Sequence, residues 1–287
     1  MDQKIIMELR YQNQVCHLSS IHRKEKAIGL PFEKVLGCKV IPSPINTDLL
    51  GTFTGEIERT LTPFACVKEK CYRGLDLQKG TLGIASEGSF GPNRSSPFIS
   101  TDFEILFFAD RKLNFELTLT KISPETNFSA QSIDSIDALS AFANQTLFPS
   151  HALILRPQGT NDPSLIHKGI QDHEQLYRLF QKCSEISVER RVWVETDMRA
   201  HMNPTRMKRI EELAYEMAAR LATPCPSCEI PGWGVVENTP GLPCRECQLP
   251  TARTKSKIYG CCQCNHREIL KNQEEVADPG HCLFCNP

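Results

Sequence analysis

Four Cys-x-x-Cys pairs crowd the end of the chain: Cys225-Pro-Ser-Cys228, Cys244-Arg-Glu-Cys247, Cys261-Cys-Gln-Cys264 and Cys282-Leu-Phe-Cys285. No other feature restricts the fold as much, because each pair grips one side of a tetrahedral ion. Eight thiolates suit two structural zinc sites of four cysteines each. Few apolar residues lie between the pairs, so folding there is expected to depend on the metal. Cys262 is a ninth cysteine beside them, but only Cys261 keeps the two-residue gap to Cys264. His266 and His281 adjoin the pairs and are not needed as ligands. The pairing order stays open. A nested order joins Cys244/Cys247 to Cys261/Cys264 and the first pair to the last; a sequential order joins neighbours.

The other five of the fourteen cysteines (Cys16, Cys38, Cys66, Cys71, Cys183) are single and sit mostly in apolar stretches. The amino-terminal residues carry charges inside any apolar run, which does not suit a secretory signal. Paired cysteines without such a signal favour zinc over disulfides and a cytoplasmic protein. No run of about 18 apolar residues occurs, so no membrane span is expected. From Pro224 onward six Lys or Arg face seven Asp or Glu. Two zinc–tetrathiolate sites would take this tail to about −5, so nucleic acid is an unlikely partner. Arg253, Lys255 and Lys257 still permit a local basic strand face.

The rest reads as α/β. At 287 residues the length suits about two domains. The expected division is an α/β domain over 1–222, a mixed β-sheet flanked by helices, and a small zinc-ribbon-like domain over 223–287. Strands and helices alternate to residue 222, with one hairpin over 103–122.

Polar groups gather at the predicted strand ends. Val192 to Val194 is a strand, and Glu195, Asp197, Arg199 and His201 follow at every second position. Extended chain would put all four on one side. Asn203 is a good N-cap, and Pro204 suits the first helical position. Ser19, Ser20 and Lys24 lie between the first strand and its helix, a plausible phosphate seat. Glu56 ends a loop with two glycines, Lys68 is on the next helix, and Glu87 sits between a strand end and a Gly-Ser turn.

Gly51-Thr-Phe-Thr-Gly-Glu56, Ala85-Ser-Glu-Gly-Ser-Phe-Gly-Pro92, Glu125-Thr-Asn-Phe128, Pro149-Ser-His-Ala152, Glu195 to Arg206 and the cysteine pairs together resemble an uncharacterised bacterial family, a domain of unknown function. That resemblance implies no activity. Residues 15 to 92 also resemble the inosine- and xanthosine-triphosphate pyrophosphatases. Ser19, Ser20 and Lys24 match a hydroxyl-rich turn with a lysine; Gly51, Thr52, Phe53 and Glu56 a Gly-Thr-Phe-x-Glu loop; Lys68 a helix lysine; and Glu87 an acidic turn. The sequence departs from that pattern at His22, where asparagine is usual, and in having one glutamate for a pair of aspartates.

Two functions fit. One is a hydrolase of a nucleotide or other phosphorylated small molecule. Ser19, Ser20, Lys24 and Lys68 would hold phosphate, and Glu56, Glu87 and Asp197 would hold Mg2+ and orient water. Glu195 or His201 would act as base, and Arg199 would clamp charge. The other is a non-catalytic module whose zinc tail docks to protein or nucleic acid.

Overall fold

The computed structural model describes residues 10–45, 61–93, 96–160 and 162–287. The body is mixed α/β, as expected, with its strands distributed over two sheets. The first is built from β1 (Val15–Ser19), β2 (Lys39–Pro42), β3 (Leu82–Pro92), β4 (Ser100–Asp110) and β5 (Phe115–Ser123), in the order β2-β1-β3-β4-β5. β1 runs parallel to β2 and β3; β3, β4 and β5 form an antiparallel meander. Helix α1 (Glu25–Leu36) stops at Gly37, whose φ of 63° is left-handed backbone that costs glycine little. Helix α2 (Pro63–Gln78) starts where the Thr62 hydroxyl accepts a bond from the Ala65 amide, with proline next.

Alternation along the strands sends successive side chains to opposite faces. Leu18, Ile84, Leu106 and Phe108 pack against Ile28 and Phe32 of α1 on one face. Ala85, Ile105 and Phe107 meet Val67, Cys71 and Leu75 of α2 on the other. The parallel part of the sheet is therefore doubly wound. The connection after β1 climbs one face and that after β2 reaches a helix on the other, a topology that leaves a crevice at the carboxyl ends of the strands.

The second sheet holds β6 (Ala130–Ile133), β7 (Leu153–Pro157), β8 (His167–Ile170) and β9 (Val192–Thr196) in the order β6-β9-β7-β8, all antiparallel. Its inner side packs Leu153, Leu155, Val192 and Val194 on α3 (Ile136–Gln145) and α4 (His173–Ile186). A short 3-10 turn, Ala200–Met202, separates β9 from α5 (Pro204–Leu221). Helix α5 leaves the second sheet and lays Ile210, Leu213, Ala214 and Met217 into the core beside α1. Its far end meets a third sheet, the antiparallel meander of β10 (Gly234–Pro240), β11 (Thr254–Gly260) and β12 (Arg267–Lys271). Arg220 of α5 donates to the Gly232 carbonyl at 2.5 and 3.0 Å, tying that module to the body. Among the described residues no helix is long and apolar enough to cross a membrane.

Asn203 has two duties. Its Oδ1 accepts from the Arg206 amide at 3.0 Å, and its Nδ2 donates to Asn127 Oδ1 at 2.8 Å. Replacing an N-cap by alanine costs roughly 1 kcal/mol. Asn203→Ala also removes the bond to half-buried Asn127, so a loss of about 1–2 kcal/mol in urea-unfolding stability is expected.

Candidate functional site

The eight cysteines of the four pairs form two tetrads: Cys225, Cys228, Cys261 and Cys264 in one, Cys244, Cys247, Cys282 and Cys285 in the other. The pairing is neither nested nor sequential but interleaved, first pair with third and second with fourth. The meander explains it. The segment before β10 and the β11–β12 turn lie at one end of the three strands; the β10–β11 connection and the segment after β12 lie at the other. Sulfur separations across the pairs are 3.8 and 3.6 Å in the first tetrad, 3.9 and 3.5 Å in the second. A tetrahedron with metal–sulfur arms of about 2.3 Å has edges of about 3.8 Å, so both tetrads fit one ion each and none of these contacts is a disulfide. Amides donate to sulfur as they do around a thiolate, Gln263 and Cys264 each to Cys261 at 3.3 Å. Cys262 stands aside, its sulfur directed at the Pro231 and Gly232 carbonyls.

In the body, ionisable side chains from five segments converge where β1 ends, alongside the middle of β3; Glu87 is not at a strand end before a Gly-Ser turn, because β3 stays paired with β4 through to Pro92. Lys24, 4% exposed, donates from Nζ to Ser86 Oγ at 2.7 Å. Arg206, from the first turn of α5, donates from Nε to Glu104 of β4 at 2.5 Å and from Nη1 to the Met198 carbonyl. Its guanidinium covers the Phe90 ring at 5.0 Å. Asp102 lies two residues before Glu104 on the same face. On the opposite face Lys70 of α2 is ion-paired with Glu87. Ser86 and Glu87 are adjacent, so the strand itself sends them to different sides. Burial lowers the Lys24 ammonium to about 8, with Arg206 adding repulsion. Burial, and then the Glu104 charge, raise the Asp102 carboxyl to about 7.

The two sheets of the body meet above this cluster. His22, from the turn before α1, stacks on His201, from the turn after β9, with ring centroids 5.4 Å apart. Burial, then Lys24 and Arg206, push the His22 imidazole down to about 3; burial and Arg199 lower His201 as well. Asp197 is fully buried and accepts from Arg199 Nε at 2.9 Å, Arg199 Nη2 at 2.5 Å and the Gly169 amide at 3.1 Å. It fixes the Arg199 guanidinium.

Of the residues singled out by sequence, Ser19, Lys24 and Glu87 come together at the first sheet, with Ser20 following β1. Arg199 and His201 face them from the second sheet. Four do not behave as expected. Glu195 points elsewhere, bonded to Trp193 Nε1 at 3.0 Å and 3.8 Å from Arg156, because β9 ends at Thr196 and the chain turns before the alternation can continue. Lys68 is a half-exposed partner of Glu116 at 2.7 Å on the outer side of α2, not a phosphate ligand. Asp197 and Glu87 each already face a cation of the chain. Glu56 lies outside the described residues, as does the Gly51–Glu56 loop. Among the described residues only the two tetrads gather three or more His, Cys, Asp or Glu side chains within reach of one ion.

Sequence reasoning passes over Lys70, Asp102, Glu104 and Arg206. Each carries a signal. Lys70 falls on the apolar stripe of α2 with Val67, Cys71 and Gly74. Asp102 and Glu104 continue the inward series of Leu106 and Phe108. Arg206 starts the buried series of Ile210, Leu213 and Met217. A charge at a core position is the mark common to all four.

Residues 70–287 match the model of a family described as a domain of unknown function (DUF6671). No curated protein and no solved structure matches the chain.

Two outcomes are expected. Native mass spectrometry will find two ions in the wild type, one in a Cys225→Ser/Cys261→Ser double variant, and none held tightly in Cys225→Ser/Cys244→Ser; nested or sequential pairing gives a different pattern. Asp102 keeps its proton in the folded state up to about pH 7 but loses it near pH 4 when unfolded, so its burial destabilises the fold progressively as pH rises between those values. Asp102→Asn should therefore gain thermal stability relative to wild type at pH 8 and lose that advantage at pH 4.

Proposed function

We propose that this chain, which belongs to that family of unknown function, hydrolyses a nucleotide or other phosphorylated small molecule at the strand ends of its first sheet and holds two structural zinc ions in its tail. The convergence of Lys24, Lys70, Glu87, Asp102, Glu104 and Arg206, all nearly buried, carries the reading. Desolvating so many charges is expensive, and an apolar core would hold a fold at least as well. Perturbed groups at the mouth of a strand-end crevice are what catalysis requires.

The roles follow from position. Ser19, Ser20, Lys24 and the amide end of α1 receive the phosphate. Arg199, held by Asp197, meets charge that develops in the transition state. His201 is neutral at physiological pH and accepts a proton from water. Glu87, tied to Lys70, sets the charge balance beneath Lys24. No step is assigned to Mg2+. For the tail, four thiolates at tetrahedral edge lengths select zinc over oxygen-seeking ions.

The second reading, a module that docks to protein or nucleic acid, draws on the exposed zinc module. Ile269 on β12 and Leu283 and Phe284 in the last Cys-x-x-Cys pair are 68, 87 and 72% exposed.

The purified zinc-loaded chain should release phosphate or pyrophosphate from at least one member of a panel of nucleoside triphosphates and phosphomonoesters, assayed with and without added Mg2+. His201→Asn should lower kcat by about 100-fold or more and remove the acid limb of the pH profile. Arg199→Lys should lower kcat with little change in KM. No turnover on the whole panel, or unaltered rates in both variants, rejects the hydrolase.

A further inference from the structure

The third sheet ends in an open edge. β12 pairs with β11 along one side, and among the described residues no strand pairs with its other side. All of β12 is exposed, Ile269 to 68%. The ladder fixes which backbone groups face outward. The Cys261 amide donates to the His266 carbonyl at 3.1 Å, and the Asn272 amide to the Lys255 carbonyl at 2.8 Å. Hydrogen-bonded positions alternate in an antiparallel pair, so Glu268 and Leu270 turn their backbone groups inward to β11. Arg267, Ile269 and Lys271 turn theirs to the open side. The side chains of these three share one face of the sheet, beside Gly260, Ile258 and Ser256. The outward row therefore reads cation, apolar, cation.

Three features select an occupant. Outward amides and carbonyls on an edge strand accept an added strand, main chain to main chain. The edge is preformed, because β12 lies between the Cys261/Cys264 pair and the Cys282/Cys285 pair, which belong to different tetrads, so docking has little of it to order. The charges disfavour a second copy. The antiparallel self-pairing that engages all three outward residues centres on Ile269 and sets Arg267 against Lys271 twice. Like charges directly opposite one another destabilise a strand pair, and opposite charges stabilise it. Two acidic residues flanking an apolar one at alternate positions fit this row. On the other face Glu268 is bonded to His266 at 3.1 Å, and Leu270, 52% exposed, offers a second apolar contact.

We infer that β12 is a docking edge for an extended acidic-apolar-acidic segment of a partner protein. The assignment rests on the docking reading of the zinc module and stands whether or not the body hydrolyses phosphate esters. The full zinc-loaded chain, isotopically labelled for NMR, is titrated with capped Glu-Val-Val-Thr-Glu, with the same peptide carrying Lys for both Glu, and with a single-stranded oligothymidylate. The amide resonances of Arg267, Ile269 and Lys271 shift with the glutamate peptide. It binds roughly tenfold more tightly than the lysine peptide, the effect of turning two cross-strand pairs from opposite to like charge. N-methylation of its central valine, which removes a donor to the edge, abolishes binding. Arg267→Glu/Lys271→Glu reverses the preference. Ile269→Pro removes an outward amide that β11 does not use, so this variant keeps two zinc ions in native mass spectrometry yet loses the peptide. Equal binding of the two peptides, or tighter binding of the oligothymidylate through the same residues, overturns the acidic segment. A dimer in sedimentation that Ile269→Pro dissolves gives the edge to a second copy and overturns it as well. Shifts confined to Leu283 and Phe284 overturn the edge and leave the docking reading standing. Silence from every probe overturns both.

Discussion

Helix α5 is held at both ends by arginine, and the arrangement of the three sheets depends on it. At its start Arg206 bonds Glu104 of the first sheet and the Met198 carbonyl just after the second. At its end Arg220 bonds the Gly232 carbonyl at the mouth of the cysteine module. Between them an apolar stripe packs against α1. Arg206 and Glu104 are each about 1% exposed. Removing one partner from a buried pair of this kind costs about 3–5 kcal/mol, because the other charge stays buried and uncompensated. Without the pair, the turn that carries Arg199 and His201 would lose its fixed place over β1 and β3.

That placement brings together residues of a candidate site from two sheets that alone hold only halves of it. The first sheet contributes Ser19, Lys24, Ser86 and Glu87; the second contributes Arg199 and His201. The stacked His22 and His201 mark where they join. Both imidazoles are disfavoured as cations by burial and by the positive groups around them. An anion entering there would relieve that repulsion, which is the electrostatic logic of a phosphate site. The two carboxylates of β4 offset the cations from below, and the shared burial of Asp102 and Glu104 leaves Asp102 easily protonated.

The legible parts of the site are those expressed as local chemistry. Asn203 before Pro204 announces the start of α5, and the Asn203 side chain does accept from the Arg206 amide. Ser19 and Lys24 stand out because a strand, a hydroxyl turn and a helix follow one another within a short stretch. Glu195 is misplaced by periodicity, which assumes that the strand continues, whereas β9 ends one residue later. Lys68 draws attention and Lys70 escapes it for the same reason in helical form. The first looks available because it is on the outer face, whereas the second lies inward beside Val67 and Cys71, where its ion pair with Glu87 is possible.

By itself the sequence determined the mixed α/β class, the gathering of paired cysteines near the end of the chain and the identity of the eight candidate ligands. Each of these depends on spacing within a few residues, which local geometry reads directly. Which pair joins which in that module was decided only in three dimensions, because the answer depends on how many strands separate the pairs and on which end of the meander each connection falls. The same holds for the body. Lys70, the Asp102 and Glu104 of β4, and Arg206 come from three distant parts of the chain, and no motif gives them a role. Only the packing of α2 and α5 on opposite faces of one sheet brings their charges close enough to depend on one another.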